Sequence, residues 1–541
     1  MKNQVVHLIG KLWRKLKRRR AWPKKDFTGA SFSEIQTHIQ SENLTGDLKE
    51  TEAKIREAFG NSPDVTFRYL RLGADLKMEL LITHLDGMVD TNLISVGVIR
   101  PIVEEQATPW EDLPSGKMAH SLLKQRLLET TGIKETDSLA EILEYMSSGF
   151  CMVFVQDVPW AIACEVRRWA ERNVSEPATE ASIRGSREGF VENHRVNTSM
   201  LRRLIASPQL WLEELQIGAV TKTVVTIAYI KGIAEEGVVE EARRRLQSIE
   251  VDSILESGYI EEYIEDAPYS PFPTILRTER PDKVAAALLE GRVGIITEGT
   301  PFVLVVPASF THFLMASEDY YERYPAGSFI RMLRLLALFI SLTLPSFYVA
   351  VTTFHQEMLP TPLIMSIAAQ REGVPFIAVV EAVFLELSFE LLREAGIRLP
   401  KVIGPAISIV GALILGEAAV RAGLVSSAMV IVVAATAIAS FASPIYSMAV
   451  SVHLLRFPMV LLAGSLGLFG VLMGLSAILI HMSALRSFGV PYLEPLAPTI
   501  FSEWKDALIR APLWMMDRRP QSTVQKEPIR QDPGQKPTPP K

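Results

Sequence analysis

The chain has 541 residues, 48% of them apolar, and a formal net charge of −5, so it is long enough for more than one domain. Its two cysteines, Cys151 and Cys164, exclude a disulfide framework and a cysteine-based zinc site, and they fit a reducing, cytoplasmic face for the soluble part. Charge is split along the chain: residues 26–330 mix charge with short apolar runs, whereas 335–484 are mostly apolar. The expected fold is therefore an α/β soluble N-terminal region of two subdomains followed by an α-helical multi-pass membrane domain.

Residues 1–25 form a basic arm, KLWRKLKRRRAWPKK at 11–25, whose charge follows a short apolar stretch and so does not read as a secretory signal. Such an arm suits anionic membrane lipid or plain solvation, and nothing else in the chain supports a nucleic-acid partner. The first α/β cytoplasmic subdomain is expected over 26–172. It opens with two helices started by Ser31 and by Asp47 or a neighbour, and continues with strands at 65–70 and 78–85. Helical patterns follow around 91–98 and 121–130, then strands at 150–156 and 161–166. Asp86 and Asp90, in HLDGMVD, read as a turn and a cap, and no metal is assigned to them.

A polar connection runs over 173–195, and the second α/β cytoplasmic subdomain over 196–317. There, a short helix at 200–206, strands at 210–216 and 224–230, and helices at 238–249 and 281–290 precede strands at 293–297 and 302–306, alternating as α/β layers do. No phosphate loop, dinucleotide pattern, Ser-His-Asp or Cys-His arrangement occurs, so no catalytic residue, cofactor or metal is expected. Residues 318–334 are a linker in which Tyr320, Tyr321 and Tyr324 suit an interface, and Arg331 and Arg334 precede the first apolar run on the cytoplasmic side.

The transmembrane domain is expected over 335–484, with four to five spans: 335–354, 376–394, 402–420, 424–447 and 457–480. The segment 359–376, broken by Pro360, Pro362 and Pro375, reads as an external or re-entrant connection. Small residues at Gly404, Ser408, Gly411 and Ala412, and again at Gly464, Gly467, Gly470 and Gly474, suit close helix packing in lipid. The segment 376–394 is the unusual one, because it places Glu381, Glu386 and Glu390 within an apolar run. At 100° per residue Glu386, Glu390 and Arg393 share one side, and Glu381 lies nearly opposite Glu390. Ionisable groups at membrane depth often mark an ion path, so Glu386 and Glu390, then Glu381 and Glu417, are its candidate residues. Arg393 and Arg421 are the candidate charge partners, and an interfacial helix neutralised by Arg393 is the structural alternative. Five spans put Arg393, Arg398 and Lys401 inside and the basic tail outside, whereas four do the reverse; a cytoplasmic tail is expected. Residues 485–541 read as a basic, partly disordered C-terminal tail.

Longer stretches carry a family resemblance: EASIRGSREGFVENHRVNTSMLRRLI (180–205), SPFPTILRTERPDKVAAALLEGRVGIITEGTPFVLVVPASF (270–310), LPTPLIMSIAAQREGVPF (359–376) and IGPAISIVGALILGEAAVRAGLVSSAMVIVVAATAIASF (403–441). Over about residues 60–515 the chain resembles the A subunit of GerA-type bacterial spore germinant receptors. Ser186, Lys231 and His453 depart from that pattern. The resemblance implies a spore inner-membrane subunit acting with an amino-acid-transporter-like B subunit and a lipoprotein C subunit. It also implies a homo-oligomer that forms a nutrient-gated ion channel for cation release. The related sporulation protein called stage V AF shares these motifs, and a secondary transporter or a non-conducting scaffold are the readings from other classes.

Overall fold

The computed structural model describes residues 31–72, 78–104, 116–124, 128, 132–168, 177, 180, 184–398, 417–524, 526–532 and 534–538. The basic arm, most of the expected span at 402–420 and part of the connection at 173–195 lie outside those residues. At the start, Ser31 and Asp47 cap two helices, Phe32–Gln40 and α1 (Leu48–Ala58), by accepting from Glu34 N and Lys49 N.

After α1 come β1 (Val65–Leu72) and β2 (Met78–Leu85), then β3 (Ile133–Thr136), α2 (Leu139–Ser147), β4 (Phe150–Val155) and β5 (Ala161–Glu165). They form a five-stranded sheet in the order β1-β2-β4-β5-β3. The second unit begins at α3 (His194–Leu204), β6 (Leu210–Ile217) and β7 (Thr223–Ile230), continues through α4 (Glu236–Gln247) and α5 (Ser257–Ile264), and ends with β8 (Leu276–Thr278), α6 (Pro281–Leu289), β9 (Val293–Thr297) and β10 (Val303–Val306). Its sheet order, β6-β7-β9-β10-β8, is that of the first unit with each strand advanced by five. The soluble region is thus one helix-and-sheet topology used twice, a repeat that the sequence reading did not detect.

Both sheets are antiparallel at every pairing. The expected mix of helices and strands is present, and the strands pair antiparallel, because β1–β2, β4–β5, β6–β7 and β9–β10 are joined by short links that leave no room for a crossover helix. The edge strands β3 and β8 and the helix α5 were not anticipated, and three or four residues of edge strand are too few to show a period. Apolar side chains on both faces of each sheet build the cores, with Leu80, Ile82 and Val153 on one face of the first sheet and Leu81, Leu85 and Met152 on the other.

The two units meet around a buried ion pair. Arg202 on α3 donates from Nε and Nη2 to Asp64 at 2.8 and 3.0 Å, and from Nη1 to Leu210 O at 2.6 Å. Trp211 Nε1 donates to Ala58 O, and Gly60 sits so close that a Cβ there would lie 2.1 Å from the Trp211 ring.

Beyond the linker, α7 (Tyr324–Thr353) leaves the soluble head and ends at Phe354 and His355. Helix α8 (Thr361–Arg371) follows, with no buried residue, and α9 (Ala378–Arg398) runs back so that Arg393 meets His453 near the head. The next described residues, from Glu417, sit at the far end, where Gly423 approaches Gly373. Helix α10 (Ser427–Ser440) returns towards the head, and α11 (Tyr446–Ala484) follows after a break at 441–445. Helices α7 and α11 are long and apolar enough to cross a membrane.

Helix α11 is not one rod. Gly467 has φ 64° and ψ −144°, and the chain reverses there. Ser451 Oγ bonds Pro271 O, and His481 Nε2 lies 2.8 Å from Ser270 Oγ, so both ends of α11 touch the same turn of the head. Between them, Gly474 faces Met459, Gly470 faces the Leu462 carbonyl, and the Gly467 tip abuts His355. This corrects the expected spans 424–447 and 457–480: the first stops at Ser440, and the second is divided into arms 446–466 and 468–484. A glycine with no Cβ is the residue that permits this turn, since other side chains scarcely adopt that backbone conformation.

The second arm delivers the tail to the head. Ser487 Oγ donates to Thr274 O at 2.6 Å, Phe310 N to Tyr492 O at 2.7 Å, and Thr523 Oγ1 to Glu290 O at 2.6 Å. Through Arg530 the described part of the tail therefore packs along the second unit, with Tyr492 and Val524 buried in its core.

Candidate functional site

The spacing of acids on α9 puts successive carboxylates at different depths of the bundle. Glu381, fully buried near the far end, accepts from Ser426 N and Ser426 Oγ, both at 2.5 Å, which ties the start of α9 to the start of α10. Its second oxygen, Oε2, has no partner among the described residues.

Glu386, about one and a half turns further, is 3% exposed and meets Arg456 of α11 at 2.5 Å. Arg456 also donates from Nε to Ser341 O at 2.9 Å and from Nη2 to Ser341 Oγ at 2.8 Å. One guanidinium thereby joins α7, α9 and α11. A buried ion pair needs such additional hydrogen bonds, because desolvation of two charges otherwise offsets their attraction.

Glu390 lies beside Arg393 and 3.4 Å from His453 Nδ1, at the end of the bundle nearer the head. Glu417 and Arg421 pair at 2.5 Å on an exposed face, away from the other acids. The structure thus brings Glu386, Glu390 and Arg393 together with His453 and Arg456, and leaves Glu381 and Glu417 as separate positions. Sequence reasoning missed Arg456, which lies just before the span expected over 457–480. The available signal was a lone arginine inside an otherwise uncharged run, and such a charge needs a partner.

A second charge cluster sits where the head meets α7. Arg331, 2% exposed, reaches Asp319 at 3.3 Å and Asp506 of the tail at 2.9 Å, while Arg334 holds Asp319 at 2.8 Å. Tyr320 donates to Asp506 at 2.9 Å. Burial pushes the Asp506 carboxyl up to about 6, against the pull of Arg331, and burial raises the Tyr320 phenol, with Asp506 adding to the shift. Linker, first bundle helix and tail share one network.

Next to it, a cavity of about 360 Å³ separates the second unit from the tail. Arg292 donates to Pro307 O at 2.6 Å and contacts His312 there, and burial with the Arg292 charge holds His312 well below its ordinary value. Asp90, set aside as a metal ligand, caps a helix by accepting from Asn92 N at 2.9 Å and pairs with Arg168. Among the described residues no group of three His, Cys, Asp or Glu is arranged to hold a metal.

The profile of the Bacillus/Clostridium GerA spore germination protein matches residues 53–522. The chain belongs to the GerA family. Spore germination protein KA of Bacillus subtilis (strain 168) is 45% identical over 500 residues, which is 92% of this chain and 90% of that protein. The uncharacterized membrane protein YfkQ of the same organism is 42% identical, over 91% of this chain and 95% of its own length. Among solved structures, the N-terminal domain of the A subunit of the Bacillus megaterium spore germinant receptor GerK3 is 34% identical, covering 50% of this chain and 98% of that one, with a TM-score of 0.39. In this GerA-family chain Lys231, expected as a departure from the family pattern, pairs with Glu236 at 2.8 Å and lies 5.0 Å from the Trp211 ring centre, and His453, expected as another, is the one beside Glu390.

Proposed function

We propose that this chain is a membrane-embedded A-type subunit of a spore germinant receptor, acting with B-type and C-type partners in the spore inner membrane. In this reading it transmits a signal rather than catalysing a reaction. Its bundle crosses the membrane several times: α7, α9, the span expected at 402–420, α10 and the two arms of α11 make six passes. That count is even, so the head, Arg393 and the basic tail share the cytoplasmic face, in keeping with the positive-inside rule. The reversal at Gly467 supports it, because the rule was divided only while α11 counted as one span.

The observation that carries the functional part is the Glu386–Arg456–Ser341 contact, in which one ion pair at bundle depth is shared by three helices. We read it as a latch on an ion pathway in an oligomer of this chain. Glu390, with a side chain 31% exposed, is then the acid nearest that path, and rearrangement of the head reaches the latch through Arg331 and α7. The exposed apolar residues Phe329, Met332, Leu336 and Phe339 of α7 support contact with lipid or with further subunits.

One observation favours a second reading, a non-conducting scaffold: Glu386, Glu390 and Glu417 each meet an arginine. Spores carrying Glu386→Gln and Glu390→Gln decide between them. The channel reading predicts altered monovalent-cation release at unchanged protein level, and normal release at normal level rejects it.

A further inference from the structure

Among the described residues, helix α5 is covered on one side only. Ile260 and Ile264 are buried in the core beneath it, while Tyr259 and Tyr263, one turn apart, are 45% and 59% exposed, and Tyr269 just beyond is fully exposed. The same face is acidic. Asp266 is engaged by Arg245 at 2.8 Å and Glu256 by Thr300, whereas Glu262 and Glu265 have no ion pair among the described residues. Burial raises the Glu265 carboxyl, and the neighbouring charges of Glu262 and Asp266 raise it further, so this face holds repulsion that a cation would relieve. Only a few residues on, Ser270 and Pro271 touch the foot of the bundle. A bare acidic face at that position is poorly matched to anionic lipid.

We propose that this acidic, tyrosine-bearing face of α5 is the docking site of the chain's own basic segment, residues 11–25. That segment carries nine lysines and arginines, two tryptophans and no acid. Its guanidinium groups pair with Glu262 and Glu265 and stack on the exposed tyrosine rings, where Arg is favoured over Lys by its planar fork. The chain can reach. The first described residues, Ser31 and Phe32, abut Gly232, at the turn leading into α4, where a Cβ would lie 2.5 Å from Phe32 N. Helix α4, 12 residues and so about 18 Å long, carries Arg245, which holds Ile264 O at the end of α5. The stretch between residues 25 and 31 spans up to about 20 Å when extended.

Disulfide trapping in the full-length, detergent-solubilised protein tests this. Arg18→Cys is paired either with Tyr263→Cys or with Leu204→Cys, exposed on the opposite face of the same sheet; the native cysteines are buried. Under mild oxidation the Tyr263 pair is expected to form an intrachain bond about tenfold faster than the Leu204 pair at about 50 mM salt. That advantage should fall several-fold at about 500 mM salt or when Glu262 and Glu265 are both changed to Gln. Equal rates for the two pairs, a bond that forms only between chains, or loss of the intrachain bond on adding phosphatidylglycerol vesicles would each overturn the proposal, the last assigning the arm to lipid.

Discussion

With both Glu386 and Arg456 3% exposed, removal of either side chain leaves the other charge uncompensated in an apolar bundle. Arg456→Leu is expected to destabilise the protein by about 3–5 kcal/mol, seen as a lowered thermal unfolding midpoint in detergent. The double change Glu386→Leu, Arg456→Leu should recover most of the loss, since an apolar pair of similar volume avoids the desolvation penalty. Asp506 makes a pH prediction. Its carboxyl, at about 6 in the folded chain, returns to about 3.9 when unfolded, so between those values the folded state holds a proton that the unfolded state has lost. Its contribution to stability is then complete below the lower value and is lost as pH rises through the upper one. Asp506→Asn should flatten that part of the stability profile between about pH 4 and pH 6, measured as unfolding midpoint against pH. At this scale the acids on α9 were legible because charge in an apolar run stands out. Their partners were not, because Arg456 and Ser341 are brought to Glu386 by tertiary packing alone.

Elements with a long period or a clear cap were readable: α1 from Asp47, β9 from its apolar run, and α6 from Pro281. The reversal in α11 was not, since no charge interrupts 457–480 and Gly467 was one glycine among four that suit packing. Structure assigns them different work: Gly464 faces Val379, Gly470 and Gly474 let the two arms approach, and Gly467 makes the turn. Gly467→Ala should therefore cost more than an ordinary helix substitution, about 2 kcal/mol, because its backbone conformation is close to glycine-only and a Cβ would lie 2.6 Å from His355 Cε1. Gly396→Ala in α9, whose Cβ would meet nothing within 4 Å, is the comparison, and chemical denaturation of the detergent-solubilised variants should show Gly467→Ala as the costlier of the two.

Over the whole molecule, one helix-and-sheet unit used twice forms a head, and the chain leaves that head along α7 and comes back to it through the second arm of α11. The change from a helix-and-sheet part to apolar helices was legible from composition. The repeated topology was hidden because the two units share strand order rather than an obvious sequence period, and the antiparallel pairing because it follows from link lengths. The proposed even number of passes has a direct consequence for sidedness. Cysteines introduced at Thr499 in the tail and Glu372 beyond α8, both exposed, should label with an impermeant maleimide from opposite sides of sealed vesicles. Labelling of both from one side would contradict the arrangement. The central claim is that the three-helix contact of Glu386, Arg456 and Ser341 latches an ion pathway, and current recording from the purified receptor assembly in a lipid bilayer tests it most directly. The account predicts cation currents that depend on the trigger in the wild type, and a raised resting current once Glu386→Gln breaks the latch. A bilayer silent under every nutrient offered, or resting currents that Glu386→Gln leaves unchanged, would contradict it.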